Sequence, residues 1–70
     1  MKLGIEVERE EDGRWIAEVV DLPGVMAYGS SREEAVAHAQ ALALRTLADR
    51  LEHGEALPAL DLEAVFAVGA

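Results

Sequence analysis

Seventy residues with 14 acidic side chains against 6 basic ones, a formal charge of −8 and no cysteine leave room for one domain, residues 1–70, and none for disulfide or thiol chemistry. The negative field repels phosphate backbones and anionic lipid, so neither direct nucleic-acid binding nor a membrane surface is expected of the chain. At this size folding buries only about 60% of the surface of the unfolded chain, so self-association or a lasting partner is expected to supply further burial.

The N-terminal Met1-Lys2-Leu3-Gly4-Ile5-Glu6 turns acidic at once and has no signal-peptide core. No apolar run approaches the ~20 residues of a membrane span. The expected location is cytoplasmic. Residues 3–9 alternate Leu3, Ile5 and Val7 with Glu6 and Glu8, the period of a β-strand. Glu10-Glu11-Asp12-Gly13 reads as a polar hairpin loop, with Gly13 free to take a positive φ. Residues 14–20 form the second predicted strand, Trp15, Ala17 and Val19 on one side and Ile16, Glu18 and Val20 on the other. Leu22-Pro23-Gly24-Val25 suits a type II turn, since proline presets the first central φ and glycine accepts the positive one after it. A third short strand covers 25–28, ended by Gly29.

Ser31 followed by Glu34 matches a capping box and opens a helix over 32–53. Successive residues advance by about 100°, which aligns Val36, Ala39, Ala43, Leu44, Leu47 and Leu51 on one side. Glu34, His38, Arg45, Asp49 and Glu52 gather opposite, with Leu42 flanking that polar side. Gly54 stands where a left-handed C′ residue belongs, with Pro58 beyond it. Residues 60–68 alternate Leu62, Ala64 and Phe66 with Glu63 and Val65 and read as a fourth strand. The expected class is α+β, in the order βββαβ. The fourth strand would lie beside the first through a right-handed crossover, giving a mixed sheet of order 3-2-1-4 with the helix on one face. The other face would stay open and carry some of Ile16, Val20, Met26, Tyr28 and Val65, more apolar area than a solvated sheet face shows, which marks these five as candidate oligomer-interface residues.

Catalytic patterns are missing from the sequence. His38 and His53 belong to no metal-ligand spacing, and both read as surface or structural residues. Ser30 and Ser31 are followed by no nucleophile elbow, and no glycine pattern cradles a phosphate. The strand–strand–strand–helix–strand order is that of part of a ribonuclease H-like fold, whose enzymes hold two metal ions with carboxylates. Here Glu6 and Glu8 have no clear third ligand, and Asp21 reads as a turn residue. No enzyme activity, metal or cofactor is expected.

Across GRWIAEVVDLPGVMAYGSSREEAVAHAQALAL and the following LEHGEALP, the sequence resembles the HicB family of antitoxin-like small proteins. The likeness rests on aromatic-x-Ala-x-x-x-Asp-Leu-Pro-Gly, a glycine shortly after, a Ser-x-x-Glu-Ala helix start, and Gly-x-x-Leu-Pro after the helix. It implies the βββαβ partial ribonuclease H-like domain and a protein-neutralising role, in which the domain binds and silences a small basic RNA-cleaving toxin of the HicA type. Members usually carry a DNA-binding segment after this domain. This sequence ends at Ala70, so no DNA contact is expected from it, and an orphan homo-oligomerisation domain without a toxin is the alternative. Candidate partner-binding residues are the acidic hairpin Glu10, Glu11 and Asp12, Asp21 near the turn, and Glu6, Glu8 and Glu18 on the sheet. An acidic domain facing a basic partner also suits electrostatic steering.

Overall fold

The computed structural model of the chain describes residues 2–57 and 61–69. Strands β1 (Ile5–Arg9), β2 (Trp15–Val19) and β3 (Met26–Gly29) are followed by helix α1 (Arg32–Glu52) and a one-turn helix α2 (Leu62–Val65). The three strands form an antiparallel meander in the order β1-β2-β3. Ile5 faces Val19, Val7 faces Ala17, and Trp15 faces Gly29 across the ladders.

Each connection closes as its residues dictate. In the hairpin, the Glu10 N–H donates to the Arg14 carbonyl at 2.7 Å and the Gly13 N–H to the Glu10 carbonyl at 3.0 Å. Gly24 sits at φ 87° and the Val25 N–H donates to the Leu22 carbonyl at 3.0 Å, a type II turn. Ser31 caps α1 by accepting from the Glu34 N–H at 3.1 Å. The Glu34 carboxylate reaches back one residue further than a capping box predicts, accepting from the N–H and hydroxyl of Ser30 at 3.0 and 3.2 Å. At the other end, Gly54 at φ 70° and the Glu55 N–H bonded to the Arg50 carbonyl at 2.8 Å complete a Schellman motif.

The core is a thin layer between the sheet and α1. It consists of Ala17, Val19, Leu22 and Val25 below and Ala35, Ala39, Ala43 and Leu47 above. Four of these eight residues are alanines, and the helix therefore sits close on the sheet. The approach is tightest at Gly29, where an added Cβ would stand 2.4 Å from the Ala35 nitrogen. Trp15, Ile5 and Val7 pack half-buried against this layer, as do Val36 and Leu42. Leu44 and Leu51, placed on the buried side by helical periodicity, are instead 67% and 50% exposed. The small Ala35 side of the helix, rather than its leucines, meets the backbone of β3.

The four-stranded mixed sheet of order 3-2-1-4 does not form. The predicted fourth strand begins at position 60, outside the described residues, and its next part is α2. Asp61 caps that turn by accepting from the Glu63 N–H at 3.0 Å. Leu62, Glu63 and Ala64 are all good helix formers, and in this stretch only Glu63 supports a period-two reading. A strand gains stability only by pairing. Among the described residues α2 packs on no strand, and Asp61 and Leu62 share a shallow surface depression with Leu51, Gly54, Glu55 and Leu57. The Cα radius of gyration is accordingly 14.1 Å, against about 11 Å for a compact chain of this length. No described helix is long and apolar enough to cross a membrane.

Candidate functional site: the open face of the sheet

Helix α1 covers the face of the sheet that carries Ile5, Val7, Trp15, Ala17 and Val19. The register puts the alternate residues on the other face in two cross-strand rows: Glu6, Glu18 and Met26, then Glu8, Ile16 and Tyr28. A shallow depression there is lined by Glu6, Val7, Glu8, Ile16, Glu18 and Met26. The result is an acidic stripe along β1 and into β2, bordered by an apolar stripe on β2 and β3. Met26 and Tyr28 are each 43% exposed, so their apolar area is available to a partner.

Glu6 and Glu18 stand directly opposite each other across the ladder. Residues so placed have Cβ atoms about 4.5–5.5 Å apart, and like charges there destabilise the sheet. The ion pairs among the described residues engage Asp12 and Asp49 and leave Glu6, Glu8 and Glu18 without a cation. The fold thus holds a repulsive group of carboxylates on its uncovered face.

The other predicted acidic residues are differently placed. Asp12 is committed locally, accepting from the Arg14 N–H at 3.0 Å and from the Arg14 Nε at 2.7 Å. Those hydrogen bonds, the backbone one foremost, hold its carboxyl below the usual aspartate range. The Arg14 guanidinium in turn lies 4.5 Å from the Tyr28 ring centroid, a cation–π contact at the rim of the face. Asp21 is a clamp rather than a local turn former: its Oδ2 accepts from the Gly4 N–H at 2.9 Å, tying the start of β1 to the β2–β3 turn. Glu10 serves the hairpin through its backbone, and Glu11 is exposed at the tip.

Of the five predicted apolar interface residues, Ile16, Met26 and Tyr28 come together on the open face. Val20 lies past the end of β2 against Gly4, and Val65 is on α2, away from the sheet. His38 does more than face solvent, since its Nδ1 is 2.8 Å from the Tyr28 carbonyl oxygen and joins α1 to β3. One grouping was not legible in the sequence spacing: Asp49, His53 and Glu55, all exposed, bring ligand atoms within 4.8 Å of one another where the Schellman motif folds Glu55 back. The His53 Nδ1 is already engaged there, 2.8 Å from the Asp49 carbonyl oxygen.

Comparison of the chain with protein-family models, curated proteins and solved structures finds no match.

Proposed function

We propose that this domain is a protein-binding module whose open sheet face takes a basic partner, in the manner of a HicB-like antitoxin that covers a small basic RNA-cleaving toxin of the HicA type. The observation that carries the reading is the group Glu6, Glu8 and Glu18, unpaired and mutually repulsive beside Ile16, Met26 and Tyr28. Like charges set opposite each other in a ladder oppose pairing, and an arginine or lysine placed between them reverses the sign of that interaction. The same repulsion opposes packing this face on an identical copy, because six carboxylates would meet. An acidic stripe beside an apolar one offers such a partner both charge complementarity and apolar area to bury. Binding rather than catalysis is the proposed role. The ordered motif from Trp15 to Gly29, with the capped helix after it, supports the antitoxin form of the reading.

The test is co-expression with the small, basic, histidine-containing product of a neighbouring reading frame. The expected outcome is a complex that relieves growth arrest and is abolished by the double substitution Glu6→Lys, Glu18→Lys. A wild-type chain that neither binds nor rescues would remove the toxin-binding claim and leave the orphan reading, which the exposed apolar segment near the C-terminus favours.

A further inference from the structure

Two apolar surfaces outside the open face lie on one chain without meeting. The first is residues 61–69, where Val65 is 46%, Phe66 63% and Val68 95% exposed and only Asp61 and Glu63 carry charge. The second is a groove of about 320 Å³ between β1 and α1, lined by Leu3, Ile5, Val19, Gln40, Ala43 and Leu44. It exists because α1 lies mainly over β2 and β3 and covers β1 least. Leu44, at 67% exposure, forms its outer wall.

We propose that the occupant of this groove is the Phe66-bearing segment of a second copy of the chain, given and received reciprocally by the two subunits. Charge selects this occupant. A chain of formal charge −8 repels its own copies over most of its surface, and the open sheet face repels them most at short range. The groove contains no ionisable side chain, and the stretch from Ala64 to Gly69 contains none either. Two such copies can therefore make contact here without bringing carboxylates together. Because each subunit both gives its segment and receives its partner's, the proposed contact is isologous and closes as a two-fold dimer. Length is compatible: the seven residues 62–68 span at most about 23 Å when extended, and the five of β1 about 17 Å. Each insertion buries an aromatic side chain of about 150–250 Å², and symmetry doubles it together with its aliphatic neighbours, toward the about 1,200 Å² at which specific interfaces begin. This contact is independent of the open face, which both subunits keep free.

Sedimentation equilibrium across a wide concentration range tests the proposal on the full chain, with Phe66→Asp and Leu44→Asp as variants. The wild type is expected at twice 7.5 kDa, and each variant at the monomer mass, with self-association weakened by about a hundredfold or more as for loss of paired hot-spot anchors. Both substituted side chains are exposed, so an unchanged far-ultraviolet circular dichroism spectrum verifies that the fold persists. Mixing the two variants restores one intact groove-and-anchor pair and is expected to return a dimer weaker than wild type. A wild type that stays monomeric at every concentration overturns the proposal, as does a Phe66→Asp variant that dimerises as tightly as wild type. Toxin capture by the dimerisation-deficient variants would separate this result from the fate of the open-face reading.

Discussion

Gly29→Ala is the substitution to which this fold is most exposed. The new Cβ would stand 2.4 Å from the Ala35 nitrogen, 2.8 Å from the Glu34 carbonyl carbon and 2.9 Å from the Ala35 Cα. All three are backbone atoms in the first turns of α1, so no rotamer change relieves the contact. Against the 3.4 Å at which ordinary contact starts, the shortfall at nitrogen is 1.0 Å, and α1 must lift by about that distance. A lift of this size opens the layer in which Ala35 and Ala39 sit on Ala17 and Val19, and it strains the Ser31 and Glu34 caps. Overpacking a core costs about 1–3 kcal/mol. The clash here is with rigid backbone, so the upper end, about 3 kcal/mol, is expected. A domain of this length has about 3.5–10 kcal/mol in total, and 1 kcal/mol shifts its midpoint by about 4–8 °C, so Tm should fall by about 12–24 °C. Gly24→Ala is the matched control, since φ there is 87° but no atom lies within 4 Å of an added Cβ. It should cost only about 1–2 kcal/mol of backbone strain. Thermal melts of the three proteins by circular dichroism decide the matter. Equal losses for the two variants, or a Gly29→Ala midpoint within a few degrees of wild type, would show that the helix does not sit this close to β3.

Two further outcomes follow from the caps and clamps. Ser30 holds the Glu34 carboxyl below its ordinary value of 4.5, so the associated stability is present above that pH and is lost as pH falls through the lower folded-state value. Glu34→Gln should lower Tm at neutral pH and flatten its decline on acidification, and a variant melting curve that keeps the full acid dependence would refute that assignment. Asp21→Ala removes the acceptor for the Gly4 N–H and should cost about 0.5–1.5 kcal/mol, while leaving capture of a basic partner unchanged. Faster amide exchange at Gly4 with intact binding is the expected pair of results, and loss of binding with no change in exchange would return Asp21 to the interface.

What the sequence by itself determined was everything settled within a few residues of chain. The Pro23-Gly24 turn, the Gly13 hairpin, the Ser31 cap and the Gly54 helix end form from hydrogen bonds between near neighbours, and each is found where its residues require it. Alternation likewise assigned Glu6 and Glu8 to one face of β1, and Ile16 with Glu18 to one face of β2, because side-chain direction in a strand is a local property. Which of those faces the helix covers was decided only when α1 docked on the sheet. Its phase was decided there too. Periodicity alone favoured Leu44 and Leu51 for the interior, whereas close approach of α1 to the Gly29 backbone admits only a small side chain and turned Ala35 inward. Residues 60–68 mark the same boundary from the other side. Whether an apolar run becomes a strand depends on a free edge within reach, and where the described part of that run pairs with none, the cap at Asp61 and the helix preference of Leu62, Glu63 and Ala64 prevail. The acidic open face is likewise a product of tertiary structure. Its carboxylates come from β1 and β2, positions twelve residues apart in the case of Glu6 and Glu18, and only the antiparallel register sets them side by side.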